Sequence, residues 1–370
     1  MRIGVISFHA SHNYGSVLQA FSFEHFLKIN LKNDSIETIN FRTERQKKLY
    51  DFSFKNRSWK VKLLNLFYYR TLKTKYILFE RFINNELNLS KEFSNEHDFD
   101  SKKYDILISG GDQIWNPACD DFSWLYYFDG VKGTKVSYAP SFGPHPTVTD
   151  ETKQRIKAAL EEYRIIGVRE IGSKKFLEEK IGLNKEIQVL PDPVLLLSAQ
   201  QWSSLLNLKE NSNKGYILFY TLYCSKDTYK YVKKIGDFLG KKIIITKPIS
   251  KLDFFGYYNN NFATGPKEFL ELLNNADLIV STSFHACVFS AIFHKSFIAL
   301  DCENDNRIQG FLNLFKLKNH NFSTKTNKLD EFNFEDLRND YDFFDNKIIE
   351  EREKAILWCN KIKEFERDVK

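Results

Sequence analysis

Cysteine is scarce and scattered in this sequence. The five, Cys119, Cys224, Cys287, Cys302 and Cys359, include no pair at the short spacing of a zinc knuckle or a redox motif. An odd, unclustered set of thiols fits reduced cysteines in a cytosolic protein. Long apolar runs are missing too. None approaches the roughly 18–20 residues that a membrane span needs. The first strand begins at Arg2 with no charged leader and no long apolar stretch before it, which argues against a secretory signal. Excess charge of one sign is also lacking. The 54 basic residues are interleaved with 48 acidic ones, for a net charge of +6. Such a balance excludes a coating of cations for nucleic acid, but suits a protein that handles small anions or works beside an acidic membrane. Methionine and tryptophan supply little of the apolar mass; 34 phenylalanines and 18 tyrosines supply an unusual share of it. No internal repeat or low-complexity block appears.

At 370 residues the chain exceeds one ordinary domain of about 100–200 residues, so two are expected. Short apolar runs alternate with longer amphipathic stretches from end to end, as in α/β proteins with parallel sheets. Strands are expected at Ile3–Phe8, Ser35–Phe41, Ile106–Ser109, Lys135–Ala139 and Ile165–Val168, then at Tyr216–Thr221, Lys242–Thr246, Leu278–Ser281 and Ser296–Leu300. Pro191 and Pro193 interrupt regular structure near the middle. The expected division is therefore 1–190, 191–340 and a C-terminal helix in 341–370 that packs back on the first domain. A segment within 42–90 stands apart. From Arg42 to Arg81 twelve Lys or Arg face three acids, with Phe52, Phe54, Trp59, Phe67, Tyr68, Tyr69, Tyr76 and Phe79 among them. It reads either as a solvated helical insertion, or as a patch for anionic lipid headgroups or a lipid-linked acceptor.

Chemistry concentrates where strands run into helices. The first strand leads through His9 and His12 to Asn13-Tyr14-Gly15 and then Leu18-Gln19, so that free helix amides could meet an anion or a hydroxyl. In open α/β sheets, ligands bind at the carboxyl ends of strands. The run Gly110-Gly111-Asp112-Gln113-Ile114-Trp115-Asn116 puts amides and an indole beside a carboxylate, a mixture suited to sugar hydroxyls. Asp112 could equally cap a tight turn. Ser141-Phe142-Gly143 is another turn-rich strand end. Arg169 follows an apolar strand, and its fork suits a phosphate or carboxylate, or a salt bridge to Glu170. Farther on, Ser281-Thr282-Ser283-Phe284-His285-Ala286 places an imidazole at a helix opening, and Arg307 follows the next strand.

These blocks, with Ser137-Tyr138-Ala139, Val168-Arg169-Glu170 and Pro191-Asp192-Pro193-Val194, together resemble the polysaccharide pyruvyl transferase family in order and spacing. Where relatives often read Gly-Ser-Asp-Gln, this chain has Gly110-Gly111-Asp112-Gln113. The Arg42–Arg81 segment and the last hundred residues carry little of the resemblance. What it implies is two Rossmann-like α/β domains facing across a cleft, a GT-B-like fold. It also implies transfer of the pyruvyl group of phosphoenolpyruvate to a sugar of a bacterial surface polysaccharide repeat unit, forming a ketal and releasing phosphate. In that picture His285 and Asp112 are catalytic, while Arg169, Arg307, Ser283 and His285 bind the donor. Asn13, Tyr14, Gln19, Gln113, Trp115 and Asn116 would bind the acceptor, expected to be a lipid-linked oligosaccharide. Phosphoenolpyruvate is a substrate and no cofactor or metal is expected; nor is nucleic acid a partner. The expected location is cytoplasmic, with peripheral contact at the inner face of the membrane. The rivals are a GT-B glycosyltransferase using a nucleotide sugar and a non-catalytic member of a capsule assembly complex.

Overall fold

Short runs of β-branched, leucine and aromatic residues form two all-parallel sheets, and the order of strands in each decides where a ligand can bind. In this computed structural model the residues described are 1–370 other than 33, 51–58, 144–146, 211–214, 222–224, 247–258, 261–262, 327–336, 338–340 and 366–370, and the side chains of 59–68, 226 and 259–260 are likewise not described. The first sheet comprises β1 (Arg2–Ile6), β2 (Ser35–Thr38), β3 (Ile106–Ser109), β4 (Thr134–Ser137), β5 (Tyr163–Val168) and β6 (Ile187–Val189), in the order β2-β1-β3-β4-β5-β6. The second comprises β7 (Tyr216–Tyr220), β8 (Lys242–Ile245), β9 (Asn259–Asn260), β10 (Leu278–Ser281), β11 (Phe297–Leu300) and β12 (Asn321–Phe322), in the order β9-β8-β7-β10-β11-β12. In both, the chain winds outward in one direction and then returns to wind in the other. The reversal falls between β1 and β3 in the first sheet and between β7 and β10 in the second. Helices diverge at such a point and leave a crevice outside the carboxyl ends of the strands.

The uninterrupted apolar character of β3 reflects burial on both faces. Ile106 and Ile108 join one core with Ile3, Val5 and Val136, whereas Leu107 joins the other with Ile6, Ile166 and Val168. Sequence reasoning located most long elements to within a few residues. It missed β6, β9 and β12, which are two or three residues long, and the helices Glu44–Tyr50 and Asn306–Leu314. Two or three residues carry no periodicity, and the Glu44–Tyr50 helix buries only Gln46.

The chain divides into two compact units. One contains residues 1–51, 80–197 and 348–370, the other 52–79 and 198–347. The division in mid-chain thus falls between Leu197 and Ser198 rather than at the prolines. Pro191 and Pro193 lie inside the first unit, where the Asp192 side chain caps the short turn Pro193–Leu196. The long helix Trp59–Glu86 contributes to both units, its last seven residues belonging to the first. In that helix Tyr69 and Tyr76 are half-buried and Phe79 is buried, while Arg70, Lys73 and Arg81 are exposed. Phe52 and Phe54 lie outside the described residues, as do the side chains of Trp59, Phe67 and Tyr68. No helix among the described residues is long and apolar enough to cross a membrane.

The C-terminal helix Asp342–Glu364 returns to the first unit. Its Ala355, Trp358, Cys359 and Ile362 share a core with Ile3, Val5, Phe23 and Tyr138. The Trp358 indole is fully buried, meets the Tyr138 ring edge-on at 4.9 Å and donates its N–H to the Ser137 carbonyl at 3.2 Å. Truncating a fully buried tryptophan removes its transfer free energy and leaves a cavity. Trp358→Ala should therefore destabilise the protein by about 3–5 kcal/mol, read as a lower urea midpoint with the near-ultraviolet circular dichroism of the first unit lost earlier than in the wild type.

Candidate functional site

In the first unit, the helix that follows β1 and the loops after β3, β4 and β5 are joined by hydrogen bonds at the carboxyl edge of the sheet. Asn13 has extended backbone angles and caps the helix Tyr14–Asn30, its Oδ1 accepting the Gly15 N–H at 3.0 Å. The first turn of that helix carries no acid. The carboxylate of Asp112, from the loop after β3, takes that place: Ser16 Oγ donates a short hydrogen bond to its Oδ2, and the Gln113 N–H donates to its Oδ1 at 2.9 Å. A carboxylate at a helix N-terminus is stabilised by the helix dipole. The Asp112 backbone lies in the left-handed region, with φ of 62°, and its carbonyl accepts the Ser141 N–H at 2.7 Å. Strain of that kind in a non-glycine residue is retained where surrounding structure over-determines it. Gly111 is needed beside it, because an added Cβ would lie 2.7 Å from the Gln19 amide.

Below Asp112 is a buried ionic network. Arg169, directly after β5, donates from Nε to Glu170 Oε2 at 3.1 Å and from Nη1 to Asp192 Oδ2 at 3.0 Å. Asp192 Oδ2 also accepts Gln19 Nε2 at 2.9 Å. Glu170 Oε1 accepts the hydroxyls of Ser141, at 2.7 Å, and Ser173. Burial works against the charge of the guanidinium, but Glu170, Asp192 and Asp112 more than offset it and raise its pKa. The salt bridge to Glu170 is therefore present, and the guanidinium, its side chain 3% exposed, lies inside the unit.

Three residues expected at an acceptor are instead built into the core. Trp115 is fully buried, stacks on Tyr127 at 5.2 Å and donates its indole N–H to the Tyr126 carbonyl. Tyr14 and Gln19 are each 2% exposed, and Gln19 is committed to Asp192. Sequence reasoning could not tell these from surface residues, since polar handles that find partners inside look identical in a string. Asn13, Gln113 and Asn116 remain half-exposed at the edge. Asn116 Nδ2 donates to Gln113 Oε1 at 3.1 Å, and Gly143, with φ of 79°, leaves room for this amide pair. Ser16 and Asp192 went unnoticed as site residues. The signal for Asp192 was its place in the Pro191-Asp192-Pro193-Val194 block.

A second polar group surrounds the loop after β1. His12 Nε2 hydrogen-bonds Glu80 Oε1 at 2.8 Å, and Arg42 donates to Glu80 Oε2 at 2.8 Å. Burial pushes the Glu80 carboxyl up, but these bonds outweigh it and hold it at about 2. His9 is fully buried between Asn40 Oδ1 and the Ser7 carbonyl, at 3.1 and 3.2 Å.

In the second unit the analogous reversal lies between β7 and β10. The Thr221 and Thr282 hydroxyls share a hydrogen bond of 2.8 Å across these strand ends, and Ser281 Oγ accepts the Ser283 N–H at 3.0 Å. Ser283 is the N-cap of the helix Phe284–Ile292, and its hydroxyl makes no capping bond. His285 is the second residue of that helix and is half-buried. Arg307 sits in the first turn of the next helix, gripped two-fold by its own cap, Asp305, at 3.0 and 2.7 Å. Asp305 Oδ1 accepts the Arg307 backbone N–H as well.

A sequence model described as polysaccharide pyruvyl transferase matches residues 13–304. No curated protein matches the chain in sequence. Among solved structures it is similar to the UDP-GlcNAc 2-epimerase of Methanocaldococcus jannaschii in complex with UDP-GlcNAc and UDP, at 15% identity over 87% of this chain and 88% of that one, with a TM-score of 0.48. It is also similar to the E. coli heptosyltransferase WaaC with ADP, at 12% identity over 84% and 90% of the two chains and a TM-score of 0.42. The UDP-GlcNAc 2-epimerase from Neisseria meningitidis bound to UDP-GlcNAc is similar at 11% identity, over 85% and 92%, with a TM-score of 0.43.

Burial, and then the charge of Arg42, push the His9 imidazole down to about 4, against about 6.5 in an unfolded chain. Between those values the unfolded chain binds more protons than the folded one. The contribution of His9 is therefore complete above about pH 6.5 and is lost as pH falls towards 4. Urea midpoints should fall across that window, and fall less in His9→Gln, which keeps a hydrogen-bonding side chain but cannot titrate.

Proposed function

This chain belongs to the polysaccharide pyruvyl transferase family, and we propose that it transfers the pyruvyl group of phosphoenolpyruvate to two hydroxyls of a sugar in a bacterial surface polysaccharide repeat unit. The observation that carries the reading is Asp112: a carboxylate held in left-handed backbone at the strand-order reversal of the first sheet, between the Ser16 hydroxyl and a helix N-terminus. A base so held is supported by groups that cannot themselves take its proton.

The reaction places specific demands on the residues. A proton adds to the methylene carbon of phosphoenolpyruvate, which becomes a methyl group, and C2 becomes oxocarbenium-like. One sugar hydroxyl bonds to C2, the C2–O bond to phosphate breaks, and the second hydroxyl closes the ketal. Of the two hydroxyl protons, one balances the methyl group and the other leaves with phosphate. Such a path requires an acid at the methylene carbon, a base for the hydroxyls and fixed positive charge for phosphate and carboxylate.

His285 takes the role of acid. The N-terminus of Phe284–Ile292, where the Ser283 hydroxyl makes no capping bond, is suited to the phosphate, because helix-end amides and the dipole favour an anion. Arg307 supplies a further cation, its carboxylate partner Asp305 exchanging for substrate. Asp112 is the base. Arg169 acts as a positioning residue, holding the loops beneath Asp112 through Glu170 and Asp192. Asn13, Gln113 and Asn116 contribute amides at the acceptor. The donor is a substrate, and the chemistry calls for no additional cofactor.

Incubating the protein with phosphoenolpyruvate and lipid-linked repeat-unit sugars should release phosphate and yield a product heavier by one pyruvyl group in mass spectrometry. His285→Ala should lower kcat by about 10²–10⁴-fold and Asp112→Asn by a comparable factor, with phosphoenolpyruvate binding retained in the Asp112 variant. Turnover with a nucleotide sugar and none with phosphoenolpyruvate would assign the chain a glycosyl-transfer reaction instead.

A further inference from the structure

Forming a ketal removes protons from two hydroxyls, and Asp112 accounts for one of them. A second basic group stands at the opening of the same helix. His12 is the residue before Asn13, the cap of Tyr14–Asn30, and the Asp112 carboxylate is bound by Ser16 in the first turn of that helix. His12 and Asp112 therefore flank one helix N-terminus, where the strand order reverses between β1 and β3.

The surroundings of His12 are those of an oriented base. Its Nε2 meets Glu80 Oε1 at 2.8 Å, and Arg42 donates to the other oxygen of that carboxylate at 2.8 Å. Arg42 is in turn fixed by Asn40 Oδ1 at 3.1 Å. Burial works against the charge of Glu80, but these bonds outweigh it and keep the group a carboxylate. A carboxylate can only accept, so Nε2 carries the proton, and in a neutral ring Nδ1 is then the basic nitrogen. Tyr50 stacks on the ring with centres 5.2 Å apart and planes 26° apart, which fixes its plane. All five residues lie in the first unit.

A purely structural tie needs less than this. Arg42 already neutralises Glu80, so the carboxylate does not require an imidazolium as well. The contrast with His9 is direct: that ring is fully buried between Asn40 and the Ser7 carbonyl, whereas the His12 side chain keeps 11% of its surface exposed. A histidine held through one nitrogen by a carboxylate takes and returns a proton readily, because the carboxylate sets the tautomer and stabilises the imidazolium that forms.

We propose that His12 is the second base of the reaction, the group that takes the proton of the hydroxyl closing the ketal, and that Glu80 positions it. This rests on the transferase reading. In the first half of the reaction the methylene carbon gains a proton, and the first hydroxyl bonds to C2 as its proton passes to Asp112; phosphate is still attached. In the second half the other hydroxyl bonds to C2 as its proton passes to His12 Nδ1. The C2–O bond to phosphate breaks, its electron pair goes to phosphate, and the imidazolium returns the proton to the departing phosphate. Loss of His12 should therefore stall the reaction between its halves.

The test is a single-turnover reaction of the full chain with phosphoenolpyruvate and lipid-linked repeat-unit sugars. It is read by phosphate release and, after quenching, by mass spectrometry for the sugar adduct that still carries phosphate. His12→Gln keeps an amide N–H for Glu80 but cannot take a proton. It should release phosphate about 10²–10⁴-fold more slowly than the wild type and accumulate the adduct. Added imidazole should speed release by His12→Ala and leave the wild type unchanged, a rescue that repair of folding would not produce. Glu80→Gln should lower kcat with the KM for phosphoenolpyruvate unchanged. Phosphate release by His12→Gln at the wild-type rate, loss of release with no adduct, or no response of His12→Ala to imidazole would overturn the assignment of His12 and leave the transferase reading standing. A wild type that yields neither adduct nor phosphate would overturn both.

Discussion

The carboxylate of Asp192 is the contact on which the carboxyl edge of the first sheet depends. One oxygen of a side chain 1% exposed accepts both Gln19, from the first helix, and Arg169, from the end of β5. Its other oxygen accepts the Val194 N–H and starts the turn that carries the chain onward. Buried ion pairs are often no more stabilising than apolar residues of equal volume, but removing one partner leaves an uncompensated charge and is severely destabilising. Here the pair has a geometric consequence. Arg169 also grips Glu170, Glu170 holds Ser141, and the Ser141 amide donates to the Asp112 carbonyl. The left-handed backbone of Asp112 is therefore braced by a chain of hydrogen bonds that begins at Asp192.

Each unit repeats one rule on different side chains. A parallel sheet whose strand order reverses leaves its central helices divergent, and the loops at that reversal border the crevice between them. In the first sheet those loops follow β1 and β3 and carry Asn13, Ser16 and Asp112. In the second they follow β7 and β10 and carry Thr221, Thr282, Ser283 and His285. The helix openings differ in a way that bears on charge. The first is already occupied by the Asp112 carboxylate, whereas the second has no acid in its first turn and no side-chain cap.

Much of the fold was legible because buried parallel strands are written as unbroken apolar runs. Ile106–Ser109 and Leu278–Ser281 were located to the residue. The site was legible only as a set of loops. The positions of His285 at a helix opening and of Asp112 after a glycine pair could be read, because strand–loop–helix junctions have recognisable punctuation. The burial of Trp115, Tyr14 and Gln19 could not be read, since whether an indole or an amide is covered depends on what folds over it. Tyr127 and the Tyr126 carbonyl cover Trp115 from a dozen residues away.

By itself, then, the sequence determined the class of architecture, the junctions at which chemistry can occur and the family to which the chain belongs. Local patterns suffice for these, as burial periodicity, turn residues and short motifs are all encoded within a few positions. Only the tertiary structure decided which polar groups spend themselves on one another. Arg169 is closed in by residues 1 and 23 positions away, Asp112 is met by a serine 96 positions earlier, and Glu80 reaches back 68 positions to His12. Pairings over such distances follow from the winding of the sheet, and no local spacing records them.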